Sequence, residues 1–174
     1  MSEVLFTARH AMGRQISGQA LVAHDGFSAR YDLNRLTGVF SRPAHKLVGQ
    51  SYVGKILVLD TAKGGVASAW MLKEMQSRDM VPLAIVFNSV NPILVQGAAL
   101  GGITMLAGFD LDITEKIPNG AHVEIDPVAK TLRILDTPTQ STNGGSAQQP
   151  GPQTGQVPGT PQNIRIVGRD GTPV

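Results

Sequence analysis

Residues 56–70 read Ile56-Leu57-Val58-Leu59-Asp60-Thr61-Ala62-Lys63-Gly64-Gly65-Val66-Ala67-Ser68-Ala69-Trp70. The four consecutive apolar residues Ile56 to Leu59 predict a short strand buried on both faces. A glycine pair follows, and from Ala67 to Arg78 apolar residues recur at helical spacing. A strand, a glycine pair and a helix start in that order gather free backbone N–H groups at one point. The positive end of the helix dipole stands behind them. The glycines let the main chain approach a ligand closely. Ser68 falls in the first helical turn, where its hydroxyl can point at the same spot. The same residues also describe a tight strand-to-helix turn that binds nothing, and local sequence does not decide between the two.

Working outward, residues 83–87 form the next apolar run and predict a second buried strand. Asn91-Pro92 is a helix start, with Asn91 suited to the N-cap and Pro92 to the first helical position. The helix over about 92–100 is apolar nearly all round, which predicts burial, and Gly101-Gly102 stops it. Residues 103–106 are a third strand. The series strand–helix–strand–helix–strand predicts an α/β fold with parallel pairing and right-handed crossovers. In the helix at 67–78, Ala67, Trp70, Met71 and Met75 are expected to face inward. Lys73, Glu74, Gln76 and Arg78 face water, with Glu74 and Arg78 as an i,i+4 pair.

Flanking strands are predicted at 4–9 and 19–23, and a hairpin with strands at 121–125 and 131–135 around Asp126-Pro127. Residues 24–50 show little periodicity and read as a long irregular crossing, a length that usually signals function. Residues 137–162 hold no charged side chain and little that could fill a core. They read as a low-complexity, disordered tail after a domain at 1–136. The final segment, 163–174, contains Ile164-Arg165-Ile166-Val167, which is either a short docking strand or an inert end.

Composition excludes several classes of function. The chain has 174 residues and no cysteine, which rules out disulfides, thiolate zinc sites and any iron–sulfur cluster held by its own thiolates. Net charge is +2 and the charges are scattered, while aromatics are 5%, so neither a basic helix nor a base-stacking surface is indicated. No apolar run reaches membrane-spanning length, and the N-terminal residues lack a signal-peptide pattern, so a cytoplasmic protein without membrane or nucleic-acid partners is expected. The carboxylates Asp32, Asp60, Asp110, Asp112, Glu115, Glu124 and Asp126 are spread out, with Asp110 and Asp112 in a polar loop. His10, His24, His45 and His122 show no metal-ligand spacing. His45 lies in the irregular crossing, either on the surface or at a site. No nucleophile-elbow pattern surrounds Ser68. The chain thus lacks a self-sufficient catalytic set but has one turn suited to a carboxylate or phosphate.

The order of short motifs resembles the small subunit, or swivel domain, of the aconitase X family. The pieces span roughly residues 13–136. They include Gly13 and Gly18, Tyr31-Asp32 before Thr37-Gly38, His45 with Gly49-Gln50-Ser51, and Gly54-Lys55-Ile56-Leu57 leading to Gly64 and Ser68. Val81-Pro82-Leu83-Ala84, Asn91-Pro92-Ile93-Leu94, Gly97 and Gly120-Ala121-His122-Val123 follow in order. The family turn resembles Gly-Ser-Ser-Ser-Gly-Ser. Here it reads Gly64-Gly65-Val66-Ala67-Ser68-Ala69, so only the last serine remains.

The resemblance implies a swivelling β/β/α domain and a large partner subunit that holds an iron–sulfur cluster through its own cysteines. It implies a hydro-lyase acting on a small hydroxy acid, since family members dehydrate mevalonate 5-phosphate or cis-3-hydroxyproline. The iron would act as Lewis acid on the leaving hydroxyl. Ser68 would be the general base, with Lys63, Gly64, Gly65 and His45 binding substrate. Two other readings stay open: a non-catalytic binding or scaffold module of the same fold, and a phosphohistidine swivelling domain. The latter also uses a Gly-Gly turn, but Ala69 stands where its histidine would be.

Overall fold

The computed structural model describes residues 4–138; the expected tail and docking strand at 139–174 lie outside the described residues. The apolar run at 56–59 becomes β6 (Ile56–Ala62), and its neighbours are β3 (Ile16–Phe27) and β7 (Ala84–Ser89), both parallel to it. With β8 (Thr104–Ala107) these four form the parallel centre of the fold. The crossovers are α1 (Val66–Ser77) between β6 and β7, and α2 (Pro92–Leu100) between β7 and β8. The series expected from sequence is therefore present.

Antiparallel strands extend the sheet at both ends. Beside β3 lie β9 (His122–Asp126), β10 (Thr131–Asp136) and β1 (Val4–Thr7), and beyond β8 lies β2 (His10–Met12). The order is β1-β10-β9-β3-β6-β7-β8-β2. The hairpin around Asp126-Pro127 is β9–β10. The Asp126 carboxylate accepts N–H bonds from Val128 and Ala129, which closes the turn. A two-stranded pair, β4 (Leu33–Asn34) with β5 (Val39–Phe40), and a short helix, α3 (Ile113–Lys116), complete the fold.

Two core layers follow from the two-residue period of the central strands. Leu57 and Leu59 of β6 pack on one face with Leu72 and Met75 of α1 and Leu94 and Ala98 of α2. Ile56 and Val58 pack on the other with Ile113, Val123, Ile125 and Leu132. α1 and α2 approach so closely that a Cβ on Gly97 would overlap the Ala69 Cα.

Several expectations change. The fully buried face of α1 is Ser68, Ala69, Leu72 and Met75; Met71 packs half-buried against the same core, Ala67 is half-buried, and Trp70, expected inward, is 61% exposed. The small residues at 68 and 69 let the helix settle against its neighbours, which turns Trp70 outward beneath the Lys73 ammonium. Glu74 and Arg78 do pair, at 3.0 Å, with Glu74 also bound by Arg35 at 2.6 Å. α2 is buried on one side only; Ile93 and Leu100 are exposed. The strand expected at 4–9 ends at Thr7, because the chain breaks pairing at Ala8 and Arg9 to switch from β10 to β8, which it joins as β2 from His10. The crossing at 24–50 is shorter than expected, since β3 continues to Phe27 and β4 and β5 lie within the remainder. Among the described residues no helix is long and apolar enough to cross a membrane.

Candidate functional site

β6 ends at Ala62 and hands the chain to Lys63 and Gly64. Gly64 has φ of +105°, a conformation glycine adopts at little cost, and this turns the backbone into α1. Gly65 is the N-cap, and no side chain caps the helix. The first N–H groups of α1 are thus left for a ligand. A cleft of about 460 Å³ opens here, lined by Ser28, Tyr31, Arg42, Lys63 and Gly64.

The opposite wall comes from the end of β3 and the crossing after it. Ser28 and Asp32 form a tight turn. The Ser28 carbonyl accepts the Asp32 N–H at 2.9 Å, and the Ser28 N–H donates to Asp32 Oδ2 at 2.7 Å. Asp32 is 1% exposed, and its Oδ1 accepts from Arg42 Nη1 at 3.3 Å. The Ser41 N–H donates to the Asp32 carbonyl, which brings Arg42 alongside. Tyr31 stands exposed at the rim with the Arg30 guanidinium 5.3 Å from its ring centre. The Lys63 side chain lies across Gly26, where any Cβ would overlap it.

Of the residues expected at the site, Lys63 and Gly64 line the cleft and Gly65 caps the adjoining helix. Ser68 is 1% exposed and does not line the cleft; its Oγ lies 3.2 Å from the Ser28 Oγ, which does. His45 is buried, not on the surface, and stands behind the site. Its Nε2 donates to the Gly26 carbonyl at 2.9 Å, its Nδ1 accepts from the Leu47 N–H at 3.1 Å, and its ring stacks on Phe40. Both ring nitrogens are engaged, so His45 holds the strand end that carries Ser28. Ser28, Tyr31 and Arg42 were not singled out from sequence as site residues. Tyr31 appears there only within the Tyr31-Asp32 motif, and an aperiodic crossing gives no signal for the other two.

A second group forms at the same end of the parallel strands. Ligand atoms of His24, Asp60 and Asp112 lie within 4.8 Å of one another, although sequence spacing gave no such cluster. The Asn88 amide nitrogen donates to Asp60 at 3.1 Å and Asp112 at 2.7 Å, while its oxygen accepts the Ile113 N–H at 2.8 Å. Asp112 also N-caps α3 through the Thr114 N–H. The amide tethers both carboxylates, which makes this group a latch between β6, β7 and α3. Burial alone would raise the Asp112 pKa. Hydrogen bonds from Thr114 and Asn88, with His24 nearby, outweigh it and hold the carboxyl below its usual value.

The family model described as the aconitase X swivel domain matches residues 5–134. The chain belongs to the aconitase X swivel-domain family. Among relatives of this swivel domain, the phosphomevalonate dehydratase small subunit of Methanopyrus kandleri is 30% identical over 115 residues, covering 66% of this chain and 85% of that protein. The protein of the same name from Pyrococcus horikoshii is 28% identical over 120 residues, covering 69% and 87%. The structure of Thermococcus kodakaraensis aconitase X in its holo-form aligns with a TM-score of 0.71 at 25% identity, covering 76% of this chain and 99% of that one. The mixed sheet with two helices on one face is thus the swivel-domain fold. The cleft of this aconitase X swivel domain lies where β6 enters α1.

Proposed function

We propose that this chain is the small subunit of a two-subunit hydro-lyase that dehydrates a small hydroxy acid. In this reading its cleft holds an anionic group of the substrate. The observation that carries the reading is the cleft itself: Arg42, Lys63 and Gly64 line one opening, beside the uncapped start of α1. Relatives named as phosphomevalonate dehydratase small subunits support the reaction class and a large-subunit partner.

The chain has no cysteine, so its residues do not fit an iron–sulfur cluster; in this reading any cluster is held by the partner. The roles left to this chain are anion binding and proton transfer. Ser68 takes the proton beside the substrate carboxylate, communicating with the cleft through Ser28. A serine at its free pKa is a weak base, so Arg42, Lys63 and the α1 dipole have to stabilise the alkoxide.

The test is co-expression with a cysteine-containing large subunit and an assay of hydroxy-acid dehydration. Ser68→Ala is expected to lower turnover by about 10²–10⁴-fold while the complex still assembles. Full turnover by this variant removes the role of Ser68. A second reading, a non-catalytic anion-binding module on the same partner, is favoured by the 1% exposure of Ser68. An assembled complex that dehydrates no hydroxy acid would establish it.

A further inference from the structure

Asp32 is a carboxylate removed from water yet fastened to two cleft-lining residues at once. Its Oδ2 takes the Ser28 N–H at 2.7 Å and its Oδ1 takes Arg42 Nη1 at 3.3 Å. A buried charge persists only when paired and hydrogen-bonded, and these two bonds are what meets that requirement among the described residues. The Arg42 side chain is 50% exposed, so one edge of its guanidinium is anchored while the rest stays open to the cleft. A guanidinium has five donors in a fixed plane, enough to keep one on Asp32 and offer others to a second anion. Ser28, itself buried, lines the same space. Across it stand Lys63 and Gly64, with the free N–H groups of α1 behind.

We infer that Arg42 and Ser28, held in one frame by the Asp32 carboxylate, form a second anion-binding arm opposite the Gly64–Gly65 turn. Arg42 is the binding residue and Asp32 the positioning residue. The substrate's anion, carboxylate or phosphate, is gripped from both sides. This rests on the cleft being the substrate site proposed above, but it concerns binding and stands apart from turnover.

The experiment titrates the full chain with inorganic phosphate and, separately, with acetate. It reads dissociation constants and the backbone amide shifts of Gly64 and Gly65. Tighter binding of phosphate identifies a phosphorylated group as the anion held there, and tighter binding of acetate a carboxylate; either result agrees with the two-armed cleft. Arg42→Ala is expected to weaken the preferred anion about tenfold or more, the loss of a charge-assisted hydrogen bond. Ser28→Ala is expected to weaken it by a smaller factor. Arg35→Ala removes a cation that pairs with Glu74 away from the cleft, and should change nothing. Because Arg42→Ala leaves a buried carboxylate unpaired, the neutral pair Asp32→Asn with Arg42→Gln is made as well. It preserves an acceptor for the Ser28 N–H and should show the same loss. Binding by either variant within twofold of the unaltered chain, or absence of binding by the unaltered chain, overturns the inference. A complex that fails to dehydrate while these differences persist counts against the proposed activity alone.

Discussion

At Gly64 the backbone has φ of +105°, and a Cβ there would overlap the Ser68 hydroxyl and stand 3.3 Å from that of Ser28. Two penalties therefore fall on one substitution: a strained backbone and a displaced hydroxyl pair. Gly64→Ala is expected to cost about 1–3 kcal/mol. Gly65, next to it, has φ of −120° and open space around a Cβ, so Gly65→Ala meets no overlap and should cost only the poorer fit of alanine at an N-cap, about 0.5–1 kcal/mol. Urea-unfolding midpoints of the two variants check this; equal midpoints would remove the special status of Gly64. The same contrast explains why two adjacent glycines, indistinguishable in sequence, do different work. One is required by the path of the chain, and the other only leaves the mouth of the turn open.

α2 is tied to the site through its N-cap, Asn91. Asn91 Oδ1 accepts the Leu94 N–H at 2.8 Å, while its amide donates to the carbonyls of Ala62 and Gly64 at 3.4 and 3.3 Å. Asn91→Ala is expected to cost about 1 kcal/mol as a lost N-cap and to free the Gly64 carbonyl. Faster amide hydrogen exchange at 64–66 in the variant would report the second effect; exchange unchanged there means the tether is idle. The elements on either side of this tether, from β6 to β8, were legible because long apolar runs and a glycine or Asn-Pro boundary mark each one. β2, β4, β5 and α3 have two to four residues apiece, too few for periodicity to register. The face of α1 was misjudged because Trp70 offers far more apolar area than Ser68 or Ala69, whereas close packing favoured the small pair. The glycine turn and Lys63 could be read locally. Arg42 and Ser28 could not, because their place at the cleft depends on Asp32, a contact made only once β3 has paired and its end has turned.

Among the described residues two carboxylates, Asp25 and Asp112, have pKa values below the usual range. For Asp25 burial pulls upward. The Lys46 and Gly26 N–H groups, with His45 and Lys63 nearby, more than offset it. A carboxyl with a lowered folded pKa contributes stability that is present above its unfolded pKa and lost as pH falls through the folded one. Stability is therefore expected to decline below about pH 4. Asp112→Asn should make that decline shallower while lowering stability at neutral pH, since the latch to Thr114 and Asn88 is weakened. Urea midpoints from pH 2.5 to 7 measure both; a pH profile for Asp112→Asn identical to that of the unaltered chain would count against the latch.

The tight crossing of α1 and α2 has one more outcome. Ala69 is 8% exposed, and its Cα sits where Gly97 has no room for a side chain. Ala69 lines a hollow between the two helices and not the cleft beside Gly64, so an imidazole built at 69 would start from the seam and not from the opening. The closeness of the two helices at Ala69 and Gly97 therefore weighs against a phosphoryl carrier at this turn.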